Sequence, residues 1–130
     1  GWLELRWLDA LPAGLADCAV AAVVALLTDD AAGEQAARAC APVDRSWQVA
    51  AVCGPTDRAL ADAGAATLRI AAEAVDRSQA PGLLAESVGD AAERWPARGR
   101  CPADDLEDRL RRGASVMDLA DPPWEVARWS

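Results

Sequence analysis

Apolar residues recur at helical spacing through most of this 130-residue chain, and prolines and glycines divide them into short blocks. In the first block, residues at steps of three or four form one helix face: Leu11, Leu15, Cys18, Ala22 and Leu26. The other faces are also apolar, at Val20, Val23, Val24 and Leu27. An all-round apolar helix is typical of a buried element, so we expect this one to be largely buried.

Capping residues and breakers bound the helices that follow. Asp29 is placed to cap a second helix, and Pro42 ends it because proline disfavours the helical state in the residue before it. Thr56 or Asp57 begins the clearest long helix. Its inward stripe is Leu60, Gly64, Leu68, Ala71 and Val75. The glycine in that stripe would permit a close approach by another helix.

The remaining helices are shorter. Residues 43–53 fit a short helix or a strand, and we favour the helix. Pro81-Gly82 starts a block that ends at Pro96, with an apolar face formed by Leu84, Val88, Ala91 or Ala92, and Trp95. Pro102 and Asp104 begin another helix, and Gly113 is in a position to stop it. Residues 114–121 are predicted to be a connector, and Pro122 or Pro123 suits the first turn of a helix that follows it.

The start of the chain departs from this helical pattern. Residues 2–8 alternate, with Leu3, Leu5 and Trp7 on one face and Trp2, Glu4 and Arg6 on the other. No second convincing strand follows, so the rest of the sheet is expected in a missing N-terminal part or in another chain. We therefore predict an α+β, predominantly helical fold, in which residues 1–10 form one strand of an antiparallel sheet. Residues 11–130 would form five to six short packed helices.

The charge of the chain disfavours two classes of binding partner. The net charge is −8, and all thirteen basic residues are arginine. The densest basic stretch, 94–112, is interleaved with acids that cancel much of its field. This balance argues against nucleic acid and against an anionic membrane surface. The longest apolar run, 18–27, is too short to span a bilayer and lacks the basic flank of a signal peptide, so we expect a cytoplasmic protein.

The four cysteines, Cys18, Cys40, Cys53 and Cys101, show no C-x-x-C spacing, and the chain has no histidine. A structural zinc site usually needs close chelating pairs, so this pattern disfavours one. We expect buried cysteines that act as small hydrophobic side chains. Disulfides would require export, of which the sequence shows no sign.

Glu4 and Arg6 are two residues apart on the predicted strand, so they share one face. A carboxylate beside a guanidinium suits phosphate chemistry, because the acid can hold Mg²⁺ while the arginine binds phosphate oxygens. The alternative for these two residues is an ion pair on a solvated face.

The stretch around them, LELRWLDALP, resembles the strand motif of glutamate–cysteine ligases, aromatic-[LI]-E-[LVI]-R-x-[LI]-D-x-x-P. Glu4, Arg6, Asp9 and Pro12 occupy the matching positions. A second stretch, ERWPARGRCPADD (93–105), is similar to the C-terminal region of the actinobacterial branch, which makes γ-glutamylcysteine for ergothioneine.

The resemblance implies a reaction in which ATP phosphorylates the γ-carboxyl of glutamate and the amine of cysteine attacks the acyl phosphate. It implies that Glu4 is a Mg²⁺ ligand and that Arg6 contacts the ATP phosphates. Asp9 and Pro12 would shape the exit of the strand. Arg98, Arg100 and Cys101 match the second stretch, but the resemblance assigns them no catalytic role.

Such ligases are much longer than this chain, and most of their metal and substrate ligands lie upstream of the motif. The resemblance therefore identifies residues 1–130 as a single region, the C-terminal part of a larger ligase domain. Its partner would be the N-terminal part of the same enzyme, and we expect the region alone to be inactive.

Two acidic stretches of the chain allow other functional interpretations. DDLED (104–108) is similar to the acidic motif of all-α isoprenoid synthases, and EAVD (73–76) has the spacing found in small all-α pyrophosphohydrolases. Helix-capping acids and solvated surface acids explain these stretches better. The alternative that remains is a non-enzymatic helical module that binds another protein through its terminal residues, Trp2, Trp7, Trp124, Arg128 and Trp129.

Overall fold

The structure is a computed structural model, and it describes residues 4, 11, 13–78, 80 and 82–120. The fold is predominantly helical, and the described residues contain no strand. The α-helices are Ala13–Thr28 (α1), Asp30–Cys40 (α2), Trp47–Cys53 (α3), Arg58–Arg77 (α4), Gly82–Arg94 (α5), Pro102–Arg111 (α6) and Val116–Ala120 (α7). Short 3₁₀ helices occupy Ala41–Val43, Gly54–Thr56 and Pro96–Arg98.

Helix α4 is the centre of the fold. It packs against α1, α2 and α5, and also against the 3₁₀ helix Pro96–Arg98. Most of the buried side chains between these helices are alanines: Ala22, Ala25, Ala32, Ala36, Ala61, Ala63, Ala65, Ala71, Ala74 and Ala92. Val75 and Val88 are the largest fully buried side chains among the described residues. The core is therefore built mainly from small side chains that let helix backbones approach closely.

The predicted helix starts at Asp29 and Asp57 are confirmed. The Asp29 carboxylate accepts a hydrogen bond from the Ala32 amide at 3.0 Å, and Asp57 accepts one from the Leu60 amide at 3.1 Å. These side chains satisfy amides that the first turn of a helix leaves without partners. Asp29 also accepts hydrogen bonds from Arg77 at 2.6 and 3.2 Å, which lower the pKa of its carboxyl and tie the start of α2 to the end of α4.

Two glycines lie where neighbouring elements meet. A Cβ on Gly33 would lie 2.7 Å from the Leu26 carbonyl oxygen, so α2 leaves α1 through a contact that only glycine permits. A Cβ on Gly64 would lie 3.4 Å from the Pro96 Cβ. Gly64 therefore faces the 3₁₀ helix Pro96–Arg98, and the contact is an ordinary one, so it does not show the expected close approach of another helix.

The expectation that α1 is largely buried is wrong for the described residues. Val20, Val24 and Leu27 are 54%, 52% and 55% exposed. The inner face of α1 already packs on α2, α4 and α5, so none of these helices reaches its outer face.

The predicted connector 114–121 contains a helix, α7, which is a second correction. The Ser115 amide and hydroxyl both donate hydrogen bonds to the Asp118 carboxylate at 2.7 Å, and the Ser115 oxygen accepts one from the Asp118 amide. This reciprocal S-x-x-D arrangement starts a helix in the manner of a capping box.

The helix favoured over a strand for residues 43–53 is confirmed as α3. The predicted strand at 2–8 and the predicted helix that begins at Pro122 or Pro123 lie outside the described residues, apart from Glu4, which belongs to neither a helix nor a strand. Among the described helices, none combines the length and apolar character needed to cross a bilayer.

Candidate functional site

Glu4 is the one residue of the first motif's acid–arginine pair that the structure describes, and its side chain is exposed. Arg6, Asp9, Pro12 and Trp7 lie outside the described residues. No group of three or more histidine, cysteine, aspartate or glutamate side chains in the described part of the chain is arranged to hold a metal ion. Any metal site that uses Glu4 would therefore draw its other ligands from elsewhere.

The second motif, 93–105, folds around the carboxylate of Asp105 at the start of α6. Its Oδ2 accepts hydrogen bonds from Arg94 at 2.9 and 3.1 Å and from the indole Nε1 of Trp95 at 3.1 Å. Its Oδ1 accepts one from Arg100 at 3.0 Å, and Arg100 also donates to Asp108 at 2.6 Å. We call Arg94, Trp95, Arg100, Asp105 and Asp108 the Asp105 cluster.

Electrostatics in this cluster favour the ionised form of Asp105. Partial burial alone would raise the pKa of its carboxyl. The hydrogen bonds from Trp95, Arg100 and Arg94 outweigh that effect and hold the pKa below its ordinary value. Asp108 and Asp105 in turn raise the pKa of Arg100, so both partners stay charged near neutral pH.

Local backbone geometry brings these side chains together. The amides of Arg98 and Arg100 both donate to the Trp95 carbonyl at 2.9 Å, which closes a tight turn after α5. Gly99 lies in the left-handed region at φ 68°, and a Cβ there would lie 3.2 Å from the Pro55 carbonyl oxygen. The Asp104 carboxylate accepts from the Cys101 amide at 2.6 Å and so begins α6. The interpretation of DDLED as helix-capping acids is confirmed for Asp104.

The arginines of the second motif differ in their surroundings. Arg100 is engaged by two carboxylates and is 34% exposed at its side chain. Arg98 is exposed, and no described residue forms an ion pair with it. Arg94 lies over the indole ring of Trp95, with its guanidinium carbon 5.1 Å from the ring centroid. Arg94 and Arg100 thus pair with acids of α6, in keeping with the interleaved charges of the sequence.

One described residue of the first stretch lies beside the second stretch. Leu11, in the last part of the first stretch, lines one small cavity of about 140 Å³ together with Leu15, Trp95 and Pro102. A neighbouring groove of about 330 Å³ lies beside Trp95, Pro96, Arg100 and Cys101 and reaches across to Gly64 on α4. Trp95 and Pro102 of the second stretch therefore lie beside Leu11, two residues before α1 begins at Ala13.

The four cysteines are free, but their environments differ. Cys18 is buried, and desolvation raises the pKa of its thiol. Cys40 is half-buried, with its sulfur 3.3 Å from the Thr67 hydroxyl, and Cys101 is also half-buried. Cys53 is exposed, so the expectation of buried cysteines holds for Cys18 and is wrong for Cys53.

The described tryptophans also differ in their exposure to solvent. Trp95 is 6% exposed and contributes to the core, whereas Trp47 is 80% exposed. The proposed partner-binding residues Trp2, Trp124, Arg128 and Trp129 lie outside the described residues.

Comparison with known proteins gives the chain a family. The protein-family model described as "Glutamate-cysteine ligase family 2 (GCS2)" matches residues 1–121. Since this match covers nearly the whole chain, the chain belongs to the glutamate–cysteine ligase family 2. No solved structure matched it at a significant level.

Similar proteins whose names are curated support the same family assignment. "Glutamate--cysteine ligase EgtA" of Mycolicibacterium smegmatis is 43% identical over 122 residues, covering 92% of this chain and 27% of the relative. Proteins of the same name from two Mycobacterium tuberculosis strains are 38% identical over 112 residues, covering 86% of this chain and 24% of each relative. The chain thus spans about a quarter of the length of the curated relatives it matches. These matches do not favour the alternative of a non-enzymatic interaction module.

Sequence reasoning missed Asp105 as the centre of a cluster. Arg94, Trp95 and Arg100 reach it only after the chain turns at Pro96 and Gly99, which brings the end of α5 beside the start of α6. The available signal was the short spacing of W-P and G-R-C-P around that turn. It indicates a reversal, but it does not say which acid the arginines meet.

Proposed function

We propose that this chain is the C-terminal part of a glutamate–cysteine ligase that joins glutamate to cysteine with ATP and Mg²⁺, through an acyl-phosphate intermediate. The observation that carries the proposal is the 43% identity over 122 residues with a protein named as such a ligase. The resemblance of residues 93–105 to the actinobacterial branch supports a proposed place in ergothioneine biosynthesis, and we also propose a cytoplasmic location. The chain spans about a quarter of that relative, so the proposal includes an N-terminal part that completes the active site. The isolated chain would be inactive.

In this proposal Glu4 is one Mg²⁺ ligand. Its carboxylate oxygens are the donor type that Mg²⁺ prefers. Such ions in phosphate-transfer sites often take one or two carboxylates from the protein and complete their shell with phosphate oxygens and water. A single exposed carboxylate from this chain could therefore supply one of the protein ligands of the Mg²⁺ ion. When bound, Mg²⁺ would neutralise charge on the phosphates.

Arg6 is proposed to donate hydrogen bonds to the ATP phosphates. The support is its spacing from Glu4: two residues on a strand face the same side, so one residue would hold the metal and the other the phosphate. Residues 2–8 would form the strand that carries both side chains to the edge of an active-site antiparallel sheet. The helices would pack behind that sheet.

In this proposal the Asp105 cluster would support the strand from behind. Trp95 and Pro102 line the same small cavity as Leu11, which lies close to the exit of the proposed strand. Because Trp95 is fixed by its hydrogen bond to Asp105, the second motif would position the first without touching the reactants. Asp105 and Trp95 are thus proposed as positioning residues.

The test is an assay of the complete product of the gene for ATP-dependent synthesis of γ-glutamylcysteine. Glu4→Gln keeps the size of the side chain but removes its charge, and we expect a loss of about a hundredfold or more in kcat. Glu34→Gln is the matched control, since Glu34 is 73% exposed and pairs only with Arg38 within the described part of α2. The control should retain full activity.

Arg6→Ala, compared with Arg38→Ala, tests the second role. We expect Arg6→Ala to raise the KM for ATP and to lower kcat, because a phosphate contact strengthens as charge builds on the transferred group. A folded gene product without ligase activity would refute the proposed reaction. Equal activities for Glu4→Gln and Glu34→Gln would instead remove Glu4 from the metal site.

A further inference from the structure

The outer face of α1 is an apolar stripe. Val20, Val24 and Leu27 follow each other at steps of four and three, so they lie in one row along the helix, and each is more than half exposed. The helix has sixteen residues and a single charged one, Asp17. We call Val20, Val24 and Leu27 the α1 stripe.

An apolar groove runs beside the α1 stripe. It has a volume of about 500 Å³, and Val20 and Val24 form part of its wall. The opposite wall comes from the end of α4 and the start of α5, with Val75, Ala80 and Leu84. Among the described residues that line it, Asp17 is the one with a charged side chain. The stripe and the groove together form a continuous surface, which we call the α1 surface.

A surface of this kind is normally covered. A helix that is apolar on all sides is typical of the interior of a larger protein, and contiguous exposed apolar patches mark interaction sites. The inner face of α1 already packs on the other described helices through Cys18, Ala22 and Ala25. Whatever covers the α1 surface must therefore come from outside the described residues.

Two observations indicate which polypeptide covers the α1 surface. The relatives are about four times as long as the stretch that matches this chain, so most of such a polypeptide lies outside the region seen here. In contrast, a second copy of this chain would bring a net charge of −8 against another −8, which opposes association. Three stripe residues beside one groove are also a small area compared with the roughly 800 Å² per partner of a standard interface.

We propose that the α1 surface is where the remaining part of the ligase polypeptide docks onto this region. This inference rests on the proposed function, because it takes that remaining part from the ligase. The docked segment would be apolar where it meets Val20, Val24 and Leu84. It would present a basic or hydrogen-bond-donating side chain to Asp17, because a carboxylate that loses its water needs a partner.

The first experiment maps the occupant by photo-cross-linking in the complete gene product. The photoreactive residue p-benzoylphenylalanine replaces Val24, and after irradiation the cross-linked peptides are identified by mass spectrometry. The expected partner is a peptide of the same polypeptide upstream of residue 1. The matched control carries the same residue in place of Val116, which is 76% exposed on α7 and does not line the groove.

A second measurement covers the case in which the bulky photoreactive residue displaces its neighbour. Val24→Cys and Val116→Cys are labelled with a maleimide in the native gene product, and the labelling of each peptide is followed with time. We expect Val24→Cys to react about tenfold or more slowly than Val116→Cys, because it must wait for local opening of the docked surface.

Slow labelling of Val24→Cys together with an upstream cross-link supports the proposal. Cross-linking to a second copy or to residues 121–130 would overturn it, as would labelling of Val24→Cys as fast as Val116→Cys. Ligase activity is measured on the same preparations. Upstream cross-linking in an inactive but folded product would refute the proposed function while supporting the docking surface, and activity without cross-linking or protection would refute the docking surface alone.

Discussion

Replacing Asp105 by asparagine tests the cluster that holds the second motif. Asparagine has the same shape, but it has one acceptor oxygen where aspartate has two, and its amide nitrogen is a donor. If the remaining oxygen faces Trp95 and Arg94, the new amide group faces the donors of Arg100. One set of hydrogen bonds must therefore be lost, and those that remain lose the strength that the negative charge gave them.

The structure sets the size of the effect. The carboxylate of Asp105 is 22% exposed and its partner Trp95 is 6% exposed, so water cannot fully replace the lost contacts. Hydrogen bonds to charged groups contribute about 1.5–3 kcal/mol, and one acceptor survives in asparagine. We expect Asp105→Asn to lower the free energy of unfolding by about 1–2 kcal/mol. This loss corresponds to a fall in Tm of about 5 °C for a chain of this size.

The assay is urea and thermal unfolding followed by circular dichroism, with Asp62→Asn as the control. Asp62 pairs with Arg58 on α4, but the two side chains are 62% and 86% exposed, so its loss should cost about 0.5 kcal/mol or less. A cost for Asp105→Asn no greater than that for Asp62→Asn would refute the view that the cluster stabilises the fold.

The same variant gives a pH test with a defined sign. The folded state holds the pKa of Asp105 below its ordinary value, which is about 3.9 in an unfolded chain. Its stabilising contribution is therefore present above about pH 4 and is lost as the pH falls through the folded-state pKa. The stability gap between the wild type and Asp105→Asn should close in acid. A gap of constant size down to about pH 2 would contradict this explanation.

Three further changes probe other parts of the fold. Gly33→Ala should destabilise the chain, because its Cβ would lie 2.7 Å from the Leu26 carbonyl oxygen, and calorimetry should show a lower Tm. Asp57→Ala removes the cap of α4 and should cost about 1 kcal/mol in urea unfolding; an unchanged midpoint would show that the cap is dispensable. Val88→Ala should cost about 1–2 kcal/mol, because Val88 is 1% exposed, whereas Val116→Ala at a 76% exposed position should be nearly neutral.

The positions at which many of the helices begin and end could be predicted from local sequence signals. Asp29 and Asp57 begin helices because a carboxylate can satisfy first-turn amides whatever lies around it. Proline and glycine separate helices for equally local reasons, so the breaks near Pro42 and Gly82 were predictable from their neighbours alone. The reciprocal hydrogen bonds of Ser115 and Asp118 are local too, and their S-x-x-D spacing was available in the sequence.

Features that depend on distant parts of the chain were not predictable in the same way. The apolar residues of α1 indicate burial, but they do not indicate which part of the protein covers them. In the described part of the chain, Val20 and Val24 are exposed. Asp105 is one of several acids in a row, and only the turn through Gly99 selects it as the acceptor for Arg94 and Arg100. The motif around Glu4 was informative through its resemblance to a family, since spacing alone also fitted a surface ion pair.

The alanine-rich core has a consequence for how this region tolerates mutation. An alanine side chain has no rotamers to lose and little volume to remove, so shrinking it leaves only a small cavity. Enlarging it, by contrast, forces apart backbones that are already close. Ala71 and Ala92, both at 0% exposure, illustrate the asymmetry. In a comprehensive mutational scan, harmful core changes in this region would therefore be dominated by steric crowding, the reverse of the pattern expected for a core filled with leucine and phenylalanine.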